Sequence, residues 1–215
     1  MLPAHFYFKY RIFRQVSRIR LLCSICFFSV LFSCGKAVTE SIPQVIKYDK
    51  QLVTGLKFNL PAVLKESSGL CYTEGNLWSF GDSGNPNAIY QIDATTGAVI
   101  QAVTITNYPN IDWEDITSDS LYIYVGDFGN NFGDRKDLRI SQKNDLKDTS
   151  PDLVANAEAI NFSYGDQTGF NSNENTNFEC GALVGVAGSL YVFTKDRDDL
   201  KTRCYKMPTA AGAMW

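Results

Sequence analysis

The sequence predicts an all-β chain, and three observations support that prediction. From residue 52 onward, short apolar or alternating runs are separated by clusters of Gly, Asn, Asp and Pro. No segment after residue 34 keeps the apolar period of an α-helix over three turns. A three-part strand pattern also recurs three times along the chain.

Each copy of this pattern begins with a Glu that opens a short apolar strand. The opening residues are Glu66, Glu114 and Glu179, and polar loops at 127–137 and 166–177 account for the longer second interval. A second strand with a Leu-aromatic start follows at 77–82, 121–127 and 190–195, and a third short strand comes after it. Units of this size cannot bury their apolar faces alone, so we expect them to pack around a shared core.

Fourth strands at 98–105 and 157–164 would complete four-stranded antiparallel sheets, which are the blades of a β-propeller. The sequence therefore predicts a partial propeller with blades at about 63–107, 112–165 and 178–215, the third blade being incomplete. Residues 52–60 are interpreted as the strand that closes the last blade of the ring, in the domain spanning 51–215. A two-layer β-sandwich is the alternative, because short strands with turn signals suit both folds.

The segment 1–34 predicts a bacterial lipoprotein signal peptide. A basic stretch without acidic residues precedes the apolar run 21–32, which is too short for an ordinary membrane-spanning helix. Ser33-Cys34 follows the run and resembles the site where such a Cys is acylated and becomes the mature N-terminus. We expect a lipid anchor on Cys34, a tether at 35–50 and a place in the cell envelope, with the outer membrane favoured over the inner. An ordinary signal peptide or membrane anchor with an incidental Cys is the alternative.

Composition excludes several classes of function. The net charge of -3 and the pI near 5.2 argue against a nucleic-acid partner. The one histidine, His5, lies in the predicted leader, so a His-based triad, a His-ligated zinc site and haem are not expected. Glycines here suit tight turns rather than a nucleotide-phosphate cradle, since no helix follows them. The remaining cysteines are expected to be small buried apolar side chains, with a disulfide between the last two as the alternative: Cys71, Cys180 and Cys204.

The motifs of the first unit resemble those of a known family. Glu66-x-Ser-Gly-Leu70, followed by Leu77-Trp78 and a downstream Asp82, is similar to the six-bladed propellers of the SMP-30/gluconolactonase and NHL type. The stretches 110–115 and 126–131 resemble envelope lipoproteins of Bacteroidetes-like bacteria, with some likeness to phytase-like domains. The resemblance implies six blades, of which this chain would hold the N-terminal half. It also implies a metal held by a Glu and further Asp or Asn ligands, and only Glu66 aligns with that motif.

Antiparallel pairing places the start of each first strand beside the end of each second strand, at one rim of the predicted ring. Converging carboxylates repel one another, and a hard cation such as Ca²⁺ or Mg²⁺ would offset the repulsion. The predicted metal ligands are Glu66, Asp82, Asp112, Glu114, Asp115, Asp127, Asn130 and Glu179. Predicted ligand-binding residues are Lys195, Arg135 and Trp113. The alternative is that these acids are scaffold residues that cap amides and pair with Lys or Arg, Lys195 being such a partner.

Two functions remain open from the sequence. The first is a lipid-anchored module that binds a small molecule or an envelope protein, with a cation at the rim. The second is a metal-dependent hydrolase acting on a lactone or a phosphoester, so the sequence leaves open whether the chain is an enzyme. A half-ring without activity is a further alternative, because open strand edges associate readily.

Overall fold

The computed structural model describes residues 55–144 and 149–212, and over these residues the chain is β-rich. One short 3-10 turn, Ala62–Leu64, is the helical element there. No helix in this described part has the length and apolarity needed to cross a membrane. The predicted leader 1–34, Cys34 and the tether 35–50 lie outside the described residues.

Sheet 1 contains the four strands predicted for the first unit. In sheet order they are β1 (Ser67–Thr73), β2 (Asn76–Gly81), β3 (Ala88–Ile92) and β4 (Val99–Ile105). All neighbours among them are antiparallel. The predicted closing strand 52–60 is described only from residue 55, where no strand is formed, so its pairing with a further blade stays a prediction.

Sheets 2 and 3 follow the next two units. Sheet 2 contains β5 (Trp113–Ser118), β6 (Tyr122–Asp127), β7 (Arg139–Asn144) and β9 (Glu158–Asn161), paired antiparallel in that order. Sheet 3 contains β10 (Glu179–Val186), β11 (Ser189–Lys195) and β12 (Cys204–Pro208), also antiparallel. The all-β prediction is confirmed.

One strand was not predicted. β8 (Asp152–Ala155) lies between β7 and β9 in the chain, yet it pairs in parallel with β4 at the outer edge of sheet 1. Beside it, the Asn107 side-chain amide donates to the Ala157 carbonyl (2.8 Å) and accepts from the Ala157 amide (3.0 Å). The segment therefore fastens the second unit to the first.

Two tight hairpins set the register of the first strands. Glu74 (φ 49°) and Gly75 (φ 83°) link β1 to β2, while Ala187 (φ 48°) and Gly188 (φ 72°) link β10 to β11. Two consecutive positive φ values are typical of the type I′ turn, whose twist matches that of the paired strands.

The sheets stack in chain order. Trp78 and Phe80 of sheet 1 pack in one apolar cluster with Trp113 and Ile116 of sheet 2. A second cluster joins sheet 2 to sheet 3: Tyr124, Ile140, Ile160, Leu183, Leu190 and Val192. Sheet 2 thus buries side chains on both faces, which differs from the two layers of a sandwich.

The first strands of the sheets lie side by side. Four side-chain hydrogen bonds join them. The Ser68 hydroxyl donates to the Glu114 carbonyl (2.8 Å) and the Cys71 thiol to the Ser118 hydroxyl (3.3 Å). The Leu183 amide donates to the Asp115 carboxylate (2.6 Å) and the Gly185 amide to the Thr117 hydroxyl (3.1 Å). Residue numbers rise together along each pair, so β1, β5 and β10 run in the same direction.

The cysteines match the prediction in part. Cys71 and Cys180 are buried, whereas Cys204 is exposed, and all three are free thiols. The alternative Cys180–Cys204 disulfide is not formed, because Cys180 lies in the core shared with sheet 2 and Cys204 lies on the exposed side of β12.

Candidate functional site

Three hairpins bring acidic residues to one end of the sheets. The residue pairs at these ends are Ser67 with Gly81, Trp113 with Asp127, and Glu179 with Lys195. Because β1, β5 and β10 are parallel neighbours, the three ends form one continuous rim. We call this surface the rim below.

Three of the predicted ligands meet there. Asp82 follows β2, Asp112 precedes β5, and Glu114 lies within β5; each offers a carboxylate oxygen, and these oxygens lie within 4.8 Å of one another. We call this group the acidic triad. Each of the three residues is partly buried.

A β-bulge explains why Glu114 faces the rim. The register of β5 against β6 shifts between Trp113 and Asp115, so Glu114 is the extra residue. Trp113 can then enter the core, where it is fully buried, while Glu114 stays beside Asp112.

The triad is electrostatically strained without a counterion. Burial, followed by the charges of Asp112, Asp82 and Glu179, raises the pKa of Glu114 to about 7. Burial and the Asp82 carboxylate also raise the pKa of Asp112. At 4.8 Å each ionised pair repels by roughly 3–4 kcal/mol for an effective dielectric constant of about 20. The carboxylate of Glu114 accepts no hydrogen bond from any residue that the structure describes.

The chain backbone approaches the triad at a glycine. A Cβ on Gly129 would lie 2.3 Å from Cγ of Asp112 and 2.6 Å from Oε1 of Glu114. The Gly129 amide also donates to the Asp112 carbonyl (3.1 Å). Only a residue without a side chain leaves room for the two carboxylates in this arrangement.

The oxygen-only donor set fits a hard cation. Two ligands of one Ca²⁺ ion, each about 2.3–2.6 Å from it, stand at most about 5 Å apart, and the triad satisfies that limit. The group contains neither His nor Cys, so it suits Ca²⁺ or Mg²⁺ better than softer metals.

Asp127 does not join the triad, and its contacts correspond to the scaffold alternative. It is fully buried and forms ion pairs with Arg135 (3.1 Å) and Arg139 (3.1 Å). It also accepts the Asp112 backbone amide (3.0 Å). Oδ1 accepts hydrogen bonds from Arg135 and the Asp112 amide, while Oδ2 contacts Arg139 only as an ion pair, and Asp127 thereby anchors the loop that carries Gly129.

Four other predicted ligands lie on or near the rim with partners of their own. Glu66 accepts from Asn85 (3.0 Å), Asp115 accepts from the amides of Leu183 (2.6 Å) and Ile116 (2.8 Å), Asn130 donates to Phe178 (3.0 Å), and Glu179 pairs with Arg197 (2.5 Å) and Lys195 (3.4 Å). For these residues the contacts correspond to the scaffold alternative.

Two predicted ligand-binding residues have structural contacts instead. Trp113 packs edge-on against Phe80, with ring centroids 5.6 Å apart, so it cannot serve as an exposed platform. Arg135 is held by Asp127, Asp137 and the Gly129 carbonyl. Lys195 differs, because its side chain is 67% exposed while it neutralises Glu179.

Sequence reasoning missed two residues that position the triad. The Asn110 side chain donates to the carbonyls of Gly81 and Asp82 (both 2.9 Å) and accepts from the Trp113 amide (3.1 Å). Asn131 donates to Asp112 (3.4 Å) and accepts from Arg197 (2.7 Å). The sequence signal for Asn110 is its position three residues before Trp113, because Asn side chains often accept a hydrogen bond from a backbone amide a few residues later in a turn.

Comparison with known proteins adds no assignment to this geometry. No protein-family model matches the chain, and no curated protein matches it.

Proposed function

We propose that this chain is a Ca²⁺-type cation-binding module that presents its rim to a ligand or to an envelope partner. The observation that carries the proposal is the acidic triad: three carboxylates converge, and Glu114 has no hydrogen-bond donor among the described residues. A divalent cation removes the repulsion and supplies the missing partner.

The proposed architecture is a β-propeller whose first three blades are sheets 1, 2 and 3. It is supported by the chain-order stacking and by the parallel first strands. The outer side of sheet 3 keeps half-exposed apolar residues, among them Val184 (43% exposed) and Val186 (53%), as expected for a surface that meets another blade. A six-blade total is part of this proposal.

The proposed location is the bacterial envelope, through a lipid on Cys34. This rests on the sequence of the leader, which lies outside the described residues. Palmitate labelling of the expressed chain tests it: the label should be present in the parent and absent in Cys34→Ala. Labelling that persists in Cys34→Ala contradicts the anchor.

Calorimetric titration with Ca²⁺, and then with Mg²⁺, tests the cation site. We expect one site with a Kd of about 10⁻⁵–10⁻³ M for Ca²⁺, the range of weaker carboxylate sites. Asp112→Asn should lower the affinity at least tenfold, whereas Glu66→Gln, on the same rim but outside the triad, should leave it within about threefold. Absence of Ca²⁺ binding by a folded protein refutes the proposal.

A cation-dependent hydrolase is the second candidate. The Glu114 pKa of about 7 favours it, because a carboxylate that titrates near neutrality suits general acid–base chemistry. Exposed Lys195 would receive the anionic group of a phosphoester. Turnover of lactone and phosphoester substrates separates the two: activity lost in Glu114→Gln supports the hydrolase, and Ca²⁺ binding without turnover supports the binding module.

A further inference from the structure

A polar cavity of about 190 Å³ lies beside the rim, between the loops 128–135, 166–178 and 196–199. None of the acidic triad lines it. It is smaller than the roughly 300–1,000 Å³ of pockets that hold drug-sized ligands, so it suits one ring-sized chemical unit.

The cavity has a sequence counterpart in the run 171–177, where asparagine occupies every second position. All four asparagines line the cavity: Asn171, Asn173, Asn175 and Asn177. Of the intervening residues, Ser172 and Glu174 do not line it, whereas the buried Thr176 does. The segment therefore supplies four asparagines and one threonine to the cavity lining.

Hydrogen bonds between the loops fix the cavity walls. The Asn173 amide donates to the Phe132 carbonyl (2.8 Å), and Gln167 donates to the Gly133 carbonyl (2.6 Å). Gly133 has φ 68°, and a Cβ there would lie 2.4 Å from Oγ1 of Thr176. The cavity is thus preformed by contacts within the chain.

Several amides are left available to a ligand. The side chains of Asn171 and Asn175 make no hydrogen bond to any described residue, and the Asn173 side chain uses only its oxygen, toward the Asn175 amide (3.0 Å). Each free amide offers both a donor and an acceptor. Among the described residues, no Lys or Arg lines the cavity, and the one carboxylate in its lining, Asp198, accepts from Asn177 (3.5 Å). A neutral ligand with paired donors and acceptors fits this lining better than an ion.

The mouth of the cavity adds an aromatic surface. Phe132 lines it and is 47% exposed, and the partly buried Phe178 also lines it. A sugar ring presents hydroxyl groups, which donate and accept, on its edge and C–H groups on its face. The face packs on an aromatic ring, while the edge pairs with amides.

We propose that this cavity binds a neutral saccharide unit, with Asn171, Asn173 and Asn175 on its hydroxyl groups and Phe132 on its apolar face. This is separate from the proposed cation function, because the two sites share no lining residue.

Titration of the isotope-labelled full chain with glucose, galactose, mannose and N-acetylglucosamine tests the inference by NMR. We expect the side-chain amide signals of Asn171 and Asn175 to shift with at least one sugar, with a Kd of about 0.1–10 mM for a ligand of this size. The signals are assigned by their disappearance in Asn171→Ala and Asn175→Ala, which remove no internal side-chain hydrogen bond among the described residues.

Each of those variants should lower the affinity for the sugar about threefold to tenfold, and Phe132→Ala should lower it by a similar factor. Ser172→Ala and Glu174→Gln, on the same segment, are the matched controls and should bind as the parent does. The titration is repeated in Ca²⁺ and in a chelator, and equal affinities are expected. No shift with any of the four sugars, equal binding by the asparagine variants and their controls, or binding that requires Ca²⁺ would each overturn the inference.

Discussion

Replacing Glu114 by Gln in cation-free protein should change how stability depends on pH. The folded-state pKa of Glu114 is about 7, against an ordinary value of 4.5. Between these values the folded state binds the proton more tightly than the unfolded state, so the stability of the parent falls as pH rises from about 4.5 to about 7. Glutamine cannot ionise, so the variant should lack this contribution.

The size of the effect follows from the same shift. At about 1.36 kcal/mol per pKa unit, a rise from 4.5 to about 7 gives a ceiling of roughly 3 kcal/mol. Partial solvation of the carboxyl screens the charges, so we expect about 1–2 kcal/mol. Glu114→Gln should therefore be more stable than the parent by that amount at pH 8 and nearly equal to it at pH 4.5.

Urea unfolding followed by tryptophan fluorescence at pH 4.5, 6 and 8, in chelator, measures the difference. Glu66→Gln is the matched control and should track the parent at each pH. Adding Ca²⁺ at about 100 times its Kd should raise the parent's free energy of unfolding by about 2.7 kcal/mol and the Glu114 variant's by much less. Parallel pH profiles for parent and Glu114→Gln would refute the electrostatic account of the triad.

Three further outcomes are expected. Gly129→Ala should destabilise the chain by about 1–3 kcal/mol and lower its affinity for Ca²⁺ at least tenfold. Gly181→Ala, where a Cβ meets nothing within 4 Å, should change neither quantity. Urea unfolding measures the stability of both variants, and calorimetry measures their Ca²⁺ affinity. Asp127→Asn should cost about 1–3 kcal/mol in urea unfolding, because the fully buried Asp127 carboxylate loses its charge while Arg135 and Arg139 keep Asp137 as a second partner; no measurable cost would contradict that role. Ala187→Asn should raise the melting temperature by about 2–4 °C, since Asn tolerates the positive φ better than Ala, and a lowered melting temperature would contradict the turn assignment.

Local pattern was enough to predict the strands of the three units. Short apolar or alternating runs, separated by clusters of Gly, Asn, Asp and Pro, indicate these strands without tertiary information. Antiparallel pairing also predicted that Asp82 and Glu114 would share one end of the sheets. These features depend on contacts between residues that are close in sequence, or on a pattern that is repeated along the chain.

The features that the sequence did not predict depend on contacts formed only in the folded chain. Asp127 resembles Asp82 in its Gly-Asp context, and only the fold shows that Arg135 of the following loop and Arg139 of β7 form ion pairs with it. The side chain of Trp113 enters the core beside a bulge at Glu114 that no sequence pattern predicted. β8 was missed because it forms a parallel pair with a strand of the preceding unit, for which the sequence has no local signal.

The position of β8 has a consequence for dissecting the protein. Counted along the chain, residues 112–165 are a self-contained repeat, yet Asp152–Ala155 completes the hydrogen bonding of the preceding one. A fragment ending near residue 107 would lack β8, so the backbone groups on the outer edge of β4 would lose their hydrogen-bond partners. A fragment beginning near residue 112 would contain β8 without β4, the strand with which β8 pairs. Modules excised at the sequence repeats are therefore poor expression targets, and the smallest piece worth producing runs through both of the first two units.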